Sequence, residues 1–163
     1  MTKWEIIVLA AGKGTRMMSS EPKVIQKLCG KEMLNLVLAN VSSVIDGKYY
    51  VVVSSQYEQI KKAVNQKVKY VTQSEPKGTG NAVEVALEYC DNAENIVVIN
   101  GDVPLIEESI IDAMVTSHLK SSAALTLLTA DLREPKTLGK VIRDKNGIVQ
   151  EIVEVSDKYD IQT

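Results

Sequence analysis

Short apolar runs alternate along most of the chain with segments in which apolar residues recur at helical spacing. The apolar runs, rich in β-branched residues, predict buried strands at 6–9, 49–54, 68–71, 95–100 and 123–129. The helical spacing predicts helices at 33–44, 57–64, 79–90 and 109–119. Apolar strands that alternate with helices indicate an α/β fold, with a mostly parallel sheet covered by helices on both faces.

The last part of the chain has a different pattern. Residues 140–143 and 148–152 flank the segment Asp144-Lys145-Asn146-Gly147. Asn-Gly between two such runs predicts a β-hairpin. No linker stands out, so we expect residues 1–163 to form one domain without an internal boundary.

Composition narrows the class of protein. The chain is 45% hydrophobic and 25% charged, as in ordinary globular proteins, and its net charge of −2 favours neither nucleic acid nor a membrane surface. Any site for phosphate must therefore be local. Cys29 and Cys90 are expected to be free thiols in a reducing cytoplasm, and the apolar run near the N-terminus is too short to span a membrane.

A glycine-rich loop, Leu9-Ala10-Ala11-Gly12-Lys13-Gly14-Thr15-Arg16-Met17, follows the first predicted strand, and Pro22-Lys23 comes shortly after it. Ligands of open α/β sheets lie beyond the carboxyl ends of the strands. Glycines let backbone N–H groups approach phosphate oxygens, and Arg16 and Lys23 add positive charge. A tight turn with solvated charges is the alternative. Because Met17 replaces the third glycine of a dinucleotide fingerprint and no P-loop string occurs, we favour a loop that binds a nucleoside triphosphate.

The strings LAAGKGTRM and SSEPKV resemble the signature of the sugar nucleotidyltransferases. The resemblance implies a Rossmann-like sheet of the nucleotide-diphospho-sugar transferase type. It also implies that the loop wraps the triphosphate and that Arg16 and Lys23 are the catalytic cations that neutralise charge as the α-phosphorus is attacked. The nucleotide-binding residues implied in the loop are Leu9, Ala10, Ala11, Gly12 and Gly14.

A second segment, QSEPKGTGNAV at residues 73–83, follows the third predicted strand and opens a helix. Gln73 can offer a donor and an acceptor to the edge of a base, and the helix N-terminus has free N–H groups. A capped turn, with Thr79 as the N-cap, is the alternative. The segment resembles Q-x-x-x-x-G-T-G-[HN]-A-V of the bacterial N-acetylglucosamine-1-phosphate uridylyltransferases. That resemblance implies that Gln73, Gly78 and Thr79 contact uracil.

The fourth predicted strand ends in Asn100-Gly101-Asp102. A carboxylate at this position can bind Mg²⁺, which takes few protein carboxylates and completes its shell with water and substrate phosphates. A turn-capping role for Asp102 is the alternative. The string GDVPLI again resembles the uridylyltransferases, and this implies that Asp102 is the magnesium ligand.

The sugar end of the site is implied by the same resemblance. The family uses the residues before the metal ligand, a glycine near the N-acetyl group and a glutamate that binds sugar hydroxyls. In this chain the matching residues are Asn100, Gly101, Gly139 and Glu154. The family usually has Tyr where Asn100 stands, so an aromatic contact to the substrate is lost while the backbone is retained.

The resemblance covers residues 6–154 and then stops. The family continues with further sheet, a second metal ligand and, in its bifunctional members, a left-handed β-helix with acetyltransferase activity. We therefore expect a partial nucleotidyltransferase domain, apparently truncated at its C-terminus, that transfers no acetyl group. A sheet that ends here leaves an edge or an apolar face uncovered, which predicts low stability or a partner, including a homo-oligomer.

Taken as a whole, the resemblance implies a cytoplasmic enzyme of cell-wall peptidoglycan precursor synthesis that uses Mg²⁺. It would transfer a uridylyl group from UTP to N-acetylglucosamine 1-phosphate and release pyrophosphate. The expected partners are UTP and a sugar 1-phosphate, and neither nucleic acid nor membrane. Two alternatives stay open: a nucleotidyltransferase for another nucleotide or acceptor, and a fragment that binds nucleotide without turnover.

Overall fold

The computed structural model describes residues 3–12, 14, 17–54, 57–75, 77–91, 93–121, 123–134 and 138–153. The chain divides by its internal contacts into two compact units, Met1–Ser117 and His118–Thr163. No helix in the described ranges combines the length and the apolar character that a membrane span requires.

Most of the elements follow one another in the order that the sequence pattern predicts. In chain order they are β1 (Trp4–Leu9), a 3₁₀ turn (Lys23–Ile25), β2 (Lys27–Leu28), β3 (Lys31–Glu32), α1 (Met33–Ser42), β4 (Gly47–Val53), α2 (Tyr57–Ala63), β5 (Lys69–Thr72), α3 (Thr79–Leu87), β6 (Asn95–Asn100), α4 (Glu108–Lys120), β7 (Lys140–Arg143) and β8 (Val149–Val153).

The first unit is built on a four-stranded sheet in the order β5-β4-β1-β6. All its pairings are parallel, and the register places Leu9 beside Val52 on one side and Asn100 on the other. The carboxyl ends of the strands therefore meet at one edge of the sheet. This architecture confirms the predicted α/β class with a parallel sheet flanked by helices.

The sheet separates two hydrophobic cores because successive side chains of a strand point to opposite faces. Ile6 and Val8 of β1 belong to the larger core, which includes apolar residues of α1, α2 and α4. Ile7 belongs to the smaller core, where Ala82 and Ala86 of α3 pack. The alternation fixes the register of β1, since a shift by one residue would exchange the two faces.

The predicted elements are confirmed with ends that differ by at most a few residues, with one exception. Residues 123–129 were predicted to be a strand, and they form no strand in the described structure. The prediction was wrong because a strand requires a partner for its backbone hydrogen bonds, whatever its apolar pattern. The hairpin of Leu28-Cys29-Gly30-Lys31, which joins β2 to β3 with positive φ angles at Cys29 and Gly30, was not predicted.

The strand β6 is an edge of the sheet formed by the described strands. Ile96 and Val98 lie on the face opposite Val97 and Ile99, and they are 38% and 44% exposed. The small core around α3 thus covers the centre of its face of the sheet and leaves the side chains of β6 in contact with solvent.

Candidate functional site

The strand order reverses between β1 and β6, and both strands end at the carboxyl edge of the sheet. The chain moves from β1 to β4 and β5 on one side, and then returns to β6 on the other side of β1. Such a reversal is the position at which open α/β sheets bind ligands. Two predicted segments begin here: the glycine-rich loop follows β1, and Gly101-Asp102 follows β6.

The start of the glycine-rich loop is anchored on the sheet. The N–H of Ala10 donates to the carbonyl oxygen of Val52, and the side chains of Ala10 and Ala11 are buried. Gly12 is exposed, and a Cβ built on it would meet no atom within 4 Å. The backbone at Gly12 is therefore open to a ligand. Lys13, Thr15 and Arg16 lie outside the described residues, so the prediction for Arg16 remains a prediction.

Gly14 and Lys23 are in close contact. Gly14 has a φ of +58°, and a Cβ at this position would lie 2.9 Å from Cβ of Lys23. Pro22, which is buried, precedes the 3₁₀ turn that starts at Lys23 and holds an extended conformation with φ −53° and ψ 138°. Glycine and proline therefore fix the backbone on both sides of the contact, and they bring the lysine to the loop.

Lys23 and Asp102 form an ion pair at the carboxyl edge of the sheet. Nζ of Lys23 lies 2.6 Å from Oδ2 of Asp102, and the two side chains are 41% and 32% exposed. Solvent therefore reaches both groups, and a substrate or metal can compete for either. The structure thus brings two of the predicted site residues together, although 79 positions separate them in the chain.

Close packing at Gly101 sets the position of Asp102. The N–H of Gly101 donates to the carbonyl oxygen of Leu9 and extends the pairing of β1 with β6 by one residue. A Cβ at Gly101 would lie 3.1 Å from both Leu34 Cδ1 and Leu9 O, so only glycine fits without displacement. The neighbouring Asn100 is exposed.

The donor set suits a metal shared with a substrate. No cluster of three or more His, Cys, Asp or Glu side chains occurs among the described residues. Asp102 provides a partly exposed carboxylate at this edge of the sheet. Mg²⁺ is commonly held by one or two carboxylates, water and substrate phosphates, so a single carboxylate beside the glycine-rich loop fits this ion.

Gln73 follows β5 at the same edge of the sheet. Its N–H donates to the carbonyl oxygen of Val53, which extends the pairing of β4 with β5, and its side chain is 7% exposed. Nε2 of Gln73 donates to the carbonyl oxygen of Gly78 and to Oδ1 of Asn81, both at 3.0 Å. The predicted base-reading side chain is therefore held in one orientation by its own loop and helix.

The helix α3 begins without a side-chain cap. Its N-cap is Gly78, with a φ of 98° that only glycine adopts easily, and no side chain bonds to the first turn there. The alternative in which Thr79 caps this helix is therefore wrong, because Thr79 is the first helical residue and is exposed. The free N–H groups of the first turn remain available to a ligand.

The predicted sugar-binding residues lie in different parts of the chain. Asn100 and Gly101 belong to the first unit, and Gly139 is an exposed residue of the second. Glu154 lies outside the described residues. Their shared role is left as a prediction.

Sequence reasoning missed Asn81 and Glu84. Asn81 accepts from Gln73, and its own Nδ2 donates to Oε2 of Glu84 at 3.2 Å. The signal was present in the sequence, since the predicted helix places residues 81 and 84 one turn apart. The contact from Asn81 back to Gln73 depends on how the loop folds, and no spacing reveals it.

The groups with the largest pKa shifts lie away from this site. Burial raises the pKa of the Cys90 thiol to about 12, with a further contribution from the Glu5 carboxylate. Burial also raises the pKa of the Tyr49 hydroxyl to about 12, and Asp46 adds to the shift. Both groups are protonated at neutral pH and cannot act there as bases.

The sequence matches one protein family along most of its length. Residues 6–154 match the family described as the MobA-like NTP transferase domain. Curated relatives include the Bifunctional protein GlmU of Lactococcus lactis, which is 41% identical over 157 residues that cover 96% of this chain and 34% of that protein. The GlmU protein of Thermoanaerobacter pseudethanolicus is 37% identical over 151 residues, 93% of this chain and 33% of that protein. The chain thus spans about a third of the length of these relatives.

Solved structures share the fold. Rv0371c from Mycobacterium tuberculosis H37Rv superimposes with a TM-score of 0.62 at 19% identity, over 71% of this chain and 60% of that one. A nucleotidyl transferase from Methanothermobacter thermautotroptrophicus gives a TM-score of 0.60 at 18% identity, over 71% and 58% of the two chains. The likeness confirms the predicted type of sheet.

Proposed function

The chain belongs to the family of MobA-like NTP transferase domains, and from that membership we propose that it transfers a uridylyl group from UTP to N-acetylglucosamine 1-phosphate. The products are UDP-N-acetylglucosamine and pyrophosphate. The observation that carries the proposal is the 2.6 Å contact between Lys23 Nζ and Asp102 Oδ2 beside the glycine-rich loop. A cation and a metal ligand in one place are what nucleotidyl transfer requires.

The reaction needs no nucleophile from the protein. A phosphate oxygen of the sugar 1-phosphate attacks the α-phosphorus of UTP and forms a new P–O bond. The bond from the α-phosphorus to the bridging oxygen of the β-phosphate breaks, and its electron pair leaves with pyrophosphate. The attacking phosphate is already an anion, so the protein contributes orientation and charge neutralisation rather than a general base.

The first loop holds the triphosphate in this proposal. The segment Leu9-Ala10-Ala11-Gly12 and the following Gly14 offer backbone N–H groups to the phosphate oxygens. Lys23 leaves Asp102 when the substrate binds and neutralises charge on the transferring phosphoryl group, and Arg16 acts with it. The open space at Gly12 supports this placement, because a phosphate oxygen can approach the backbone there.

Asp102 is the proposed ligand of Mg²⁺. When bound, the ion would supply Lewis-acid chemistry and neutralise negative charge on the phosphates. A structure of Rv0371c is described as a complex with manganese, and this supports a divalent cation in a protein of the same fold. Asp102 would hold the ion in place of its contact with Lys23, and the lysine would then be free to bind phosphate.

The two ends of the product are bound by separate segments. Gln73, Gly78 and Thr79 bind uracil at the start of α3, which the uncapped first turn supports. Asn100, Gly101, Gly139 and Glu154 bind the sugar. We further propose that the protein works in the cytoplasm, in peptidoglycan precursor synthesis, and has no nucleic acid or membrane partner.

A second function is nucleotide binding without turnover. The held side chain of Gln73 and the uncapped first turn of α3 favour it, because both would bind a base whether or not a sugar phosphate is present. In that case the protein binds UTP with a metal and does not release pyrophosphate.

Two measurements on the whole chain separate these functions. Thermal-shift titrations with UTP, CTP, GTP and ATP, each with and without Mg²⁺, report binding. A ligand at about 100 times its Kd adds ~2.7 kcal/mol to the free energy of unfolding. Pyrophosphate release with N-acetylglucosamine 1-phosphate then reports turnover. We expect stabilisation by UTP and pyrophosphate release that depends on both substrates. Binding without release supports the second function, and no shift with any nucleotide refutes both.

A further inference from the structure

The side-chain amide of Gln73 has both of its donors engaged. Nε2 carries two protons, and the two acceptors at 3.0 Å are the carbonyl oxygen of Gly78 and Oδ1 of Asn81. The carbonyl of Gly78 can only accept a hydrogen bond. A Gln73 amide turned by 180° would place Oε1 against that carbonyl and against Oδ1 of Asn81, so two acceptors would be left without donors.

The orientation of Asn81 is fixed in turn by Glu84. Nδ2 of Asn81 donates to Oε2 of Glu84 at 3.2 Å, and an ionised carboxylate can only accept. The amide nitrogen of Asn81 therefore faces Glu84, and its oxygen faces Gln73. Glu84, Asn81 and Gln73 thus form a directed chain of hydrogen bonds in which each donor has one assigned acceptor.

The remaining polar atom of Gln73 is its amide oxygen. Oε1 accepts no hydrogen bond from the residues that the structure describes, although Gln73 is only 7% exposed. Glu5 Oε2 is the one fully buried side-chain oxygen or nitrogen without a partner among those residues. Oε1 of Gln73 is therefore still accessible, and it is an acceptor.

We propose that Asn81, oriented by Glu84, is a positioning residue that locks the Gln73 amide with its oxygen towards the base, and that this lock selects a base with an imide N–H over cytosine. The inference rests on the proposed function, because it assumes that Gln73 reads the base. Asn81 itself does not touch the nucleotide.

The selection follows from the edges of the bases. Uracil carries a hydrogen at N3, which can donate to Oε1 of Gln73. Cytosine in the same position carries a lone pair at N3, so an acceptor would face the amide oxygen. The one donor on this edge of cytosine, its N4 amino group, would reach Oε1 only if the base shifted from the position of uracil. A buried polar group left without its partner weakens binding about tenfold or more. An amide free to turn would accept cytosine by offering its nitrogen, and it would lose the discrimination.

The test measures the ratio of the Kd for CTP to the Kd for UTP, by calorimetry on the full chain with Mg²⁺. Asn81→Ala removes one of the two acceptors of Gln73 Nε2 and leaves the carbonyl oxygen of Gly78. We expect the ratio to fall about fivefold to tenfold, the loss of one hydrogen bond. The double variant Asn81→Asp with Glu84→Gln reverses the donor and acceptor between 81 and 84. It keeps an acceptor towards Gln73, so the ratio should return to near the wild-type value. Glu88→Gln, at the other end of α3, controls for loss of charge on the helix.

A measurement without nucleotide tests the lock itself. The side-chain amide protons of Gln73 should exchange slowly with solvent in the wild type and in the double variant, and faster in Asn81→Ala, as followed by NMR. If Asn81 had a merely structural role, Asn81→Ala would lower the free energy of unfolding and leave the Kd ratio unchanged, so the double variant would have no loss to reverse.

The outcomes separate the inference from the proposed function. A wild type that prefers UTP, together with an Asn81→Ala variant that retains the full preference, overturns the lock and leaves the proposed function intact. Unprotected Gln73 amide protons in the wild type overturn it as well. A wild type that binds UTP and CTP equally overturns the uracil site and the lock together. Loss and recovery of the ratio in the two variants establish the lock.

Discussion

Lys23 Nζ lies 2.6 Å from Asp102 Oδ2, so the lysine that begins the 3₁₀ turn and the proposed metal ligand that follows β6 neutralise each other. The pair is partly exposed and therefore exchangeable. Substrate and metal together offer each partner a replacement: phosphate for the lysine, and a divalent ion for the aspartate. The pair keeps both groups at the carboxyl edge of the sheet, where the proposed reaction would need them.

Replacement of Lys23 should lower the rate far more than it weakens substrate binding. If the lysine stabilises charge that develops at the α-phosphorus, Lys23→Ala should reduce kcat by about 100-fold or more, as loss of a transition-state donor does elsewhere. KM should change little. Steady-state pyrophosphate release measures both constants. Lys27→Ala, an exposed lysine four positions on, is the matched control. An unchanged kcat would remove Lys23 from the mechanism.

Lys23 should also compete with the metal for Asp102. Removal of the positive charge in Lys23→Met leaves the carboxylate without its 2.6 Å partner, so the attraction of Asp102 for a divalent ion increases. We expect tighter binding of Mn²⁺ in EPR titrations without nucleotide, and loss of that binding in Asp102→Asn. Lys48→Met, which removes the charge beside Glu5, serves as the control. Equal Mn²⁺ affinity in wild type and Lys23→Met would show that the pair does not limit metal binding.

Two glycines of the same loop should respond in opposite ways to an added methyl group. Gly14→Ala places a Cβ 2.9 Å from that of Lys23 at a φ of +58°. We expect the free energy of unfolding to fall by ~1–2 kcal/mol, the strain of a left-handed backbone. Gly12→Ala meets no atom within 4 Å, so its stability should stay within ~0.5 kcal/mol of the wild type. Its methyl group would instead occupy the space of a phosphate and weaken UTP binding.

Urea unfolding and UTP titration of these two variants provide the comparison. A stable Gly12→Ala chain that binds UTP as well as the wild type does would show that the phosphates do not approach the backbone there. A Gly14→Ala chain with unchanged stability would contradict the close contact with Lys23.

The two cysteines should differ in reactivity. Alkylation requires the thiolate, and burial raises the pKa of Cys90 to about 12, so only about 10⁻⁴ of this thiol is ionised at pH 8. Cys29 is exposed. Iodoacetamide at pH 8 should therefore modify Cys29, as identified by mass spectrometry, and spare Cys90 until the pH rises towards 12. A Cys29→Ser chain should remain unmodified under the same conditions, and rapid labelling of Cys90 in it would contradict this.

The sequence pattern predicts the fold well where the interactions are local. β1 and β6 consist mainly of apolar residues, and Asn146-Gly147 predicts the hairpin of β7 and β8. Each of these elements can therefore be recognised from a few neighbouring residues. The run at 123–129 has the same apolar character and forms no strand. Its apolar pattern indicates only that the side chains favour burial. A strand also requires a neighbouring strand for its backbone hydrogen bonds, and the pattern does not indicate one.

The sequence predicts the individual residues of the candidate site, but it does not predict how they come together in space. Glycine, lysine and aspartate in their motifs predict that Gly12, Lys23 and Asp102 belong to the site. Their approach depends on the parallel register of β1 with β6 and on packing at Gly101, which are properties of the folded sheet. The bond from Gln73 to Asn81 is similarly a product of the loop between β5 and α3.

Replacement of Thr79 tests the proposed uracil site without a change in the free energy of unfolding. An N-cap threonine contributes ~1 kcal/mol, but Thr79 is the first residue inside α3 and caps nothing. Thr79→Ala should therefore leave the free energy of unfolding within ~0.5 kcal/mol of the wild type. If its hydroxyl contacts uracil, as we propose, the Kd for UTP should rise about threefold to tenfold, the equivalent of one hydrogen bond. Thr72→Ala, at the end of β5, controls for loss of an exposed threonine. Urea unfolding and calorimetry then separate the two roles: a loss of stability would restore the capping role, and an unchanged Kd would remove the Thr79 side chain from the base site.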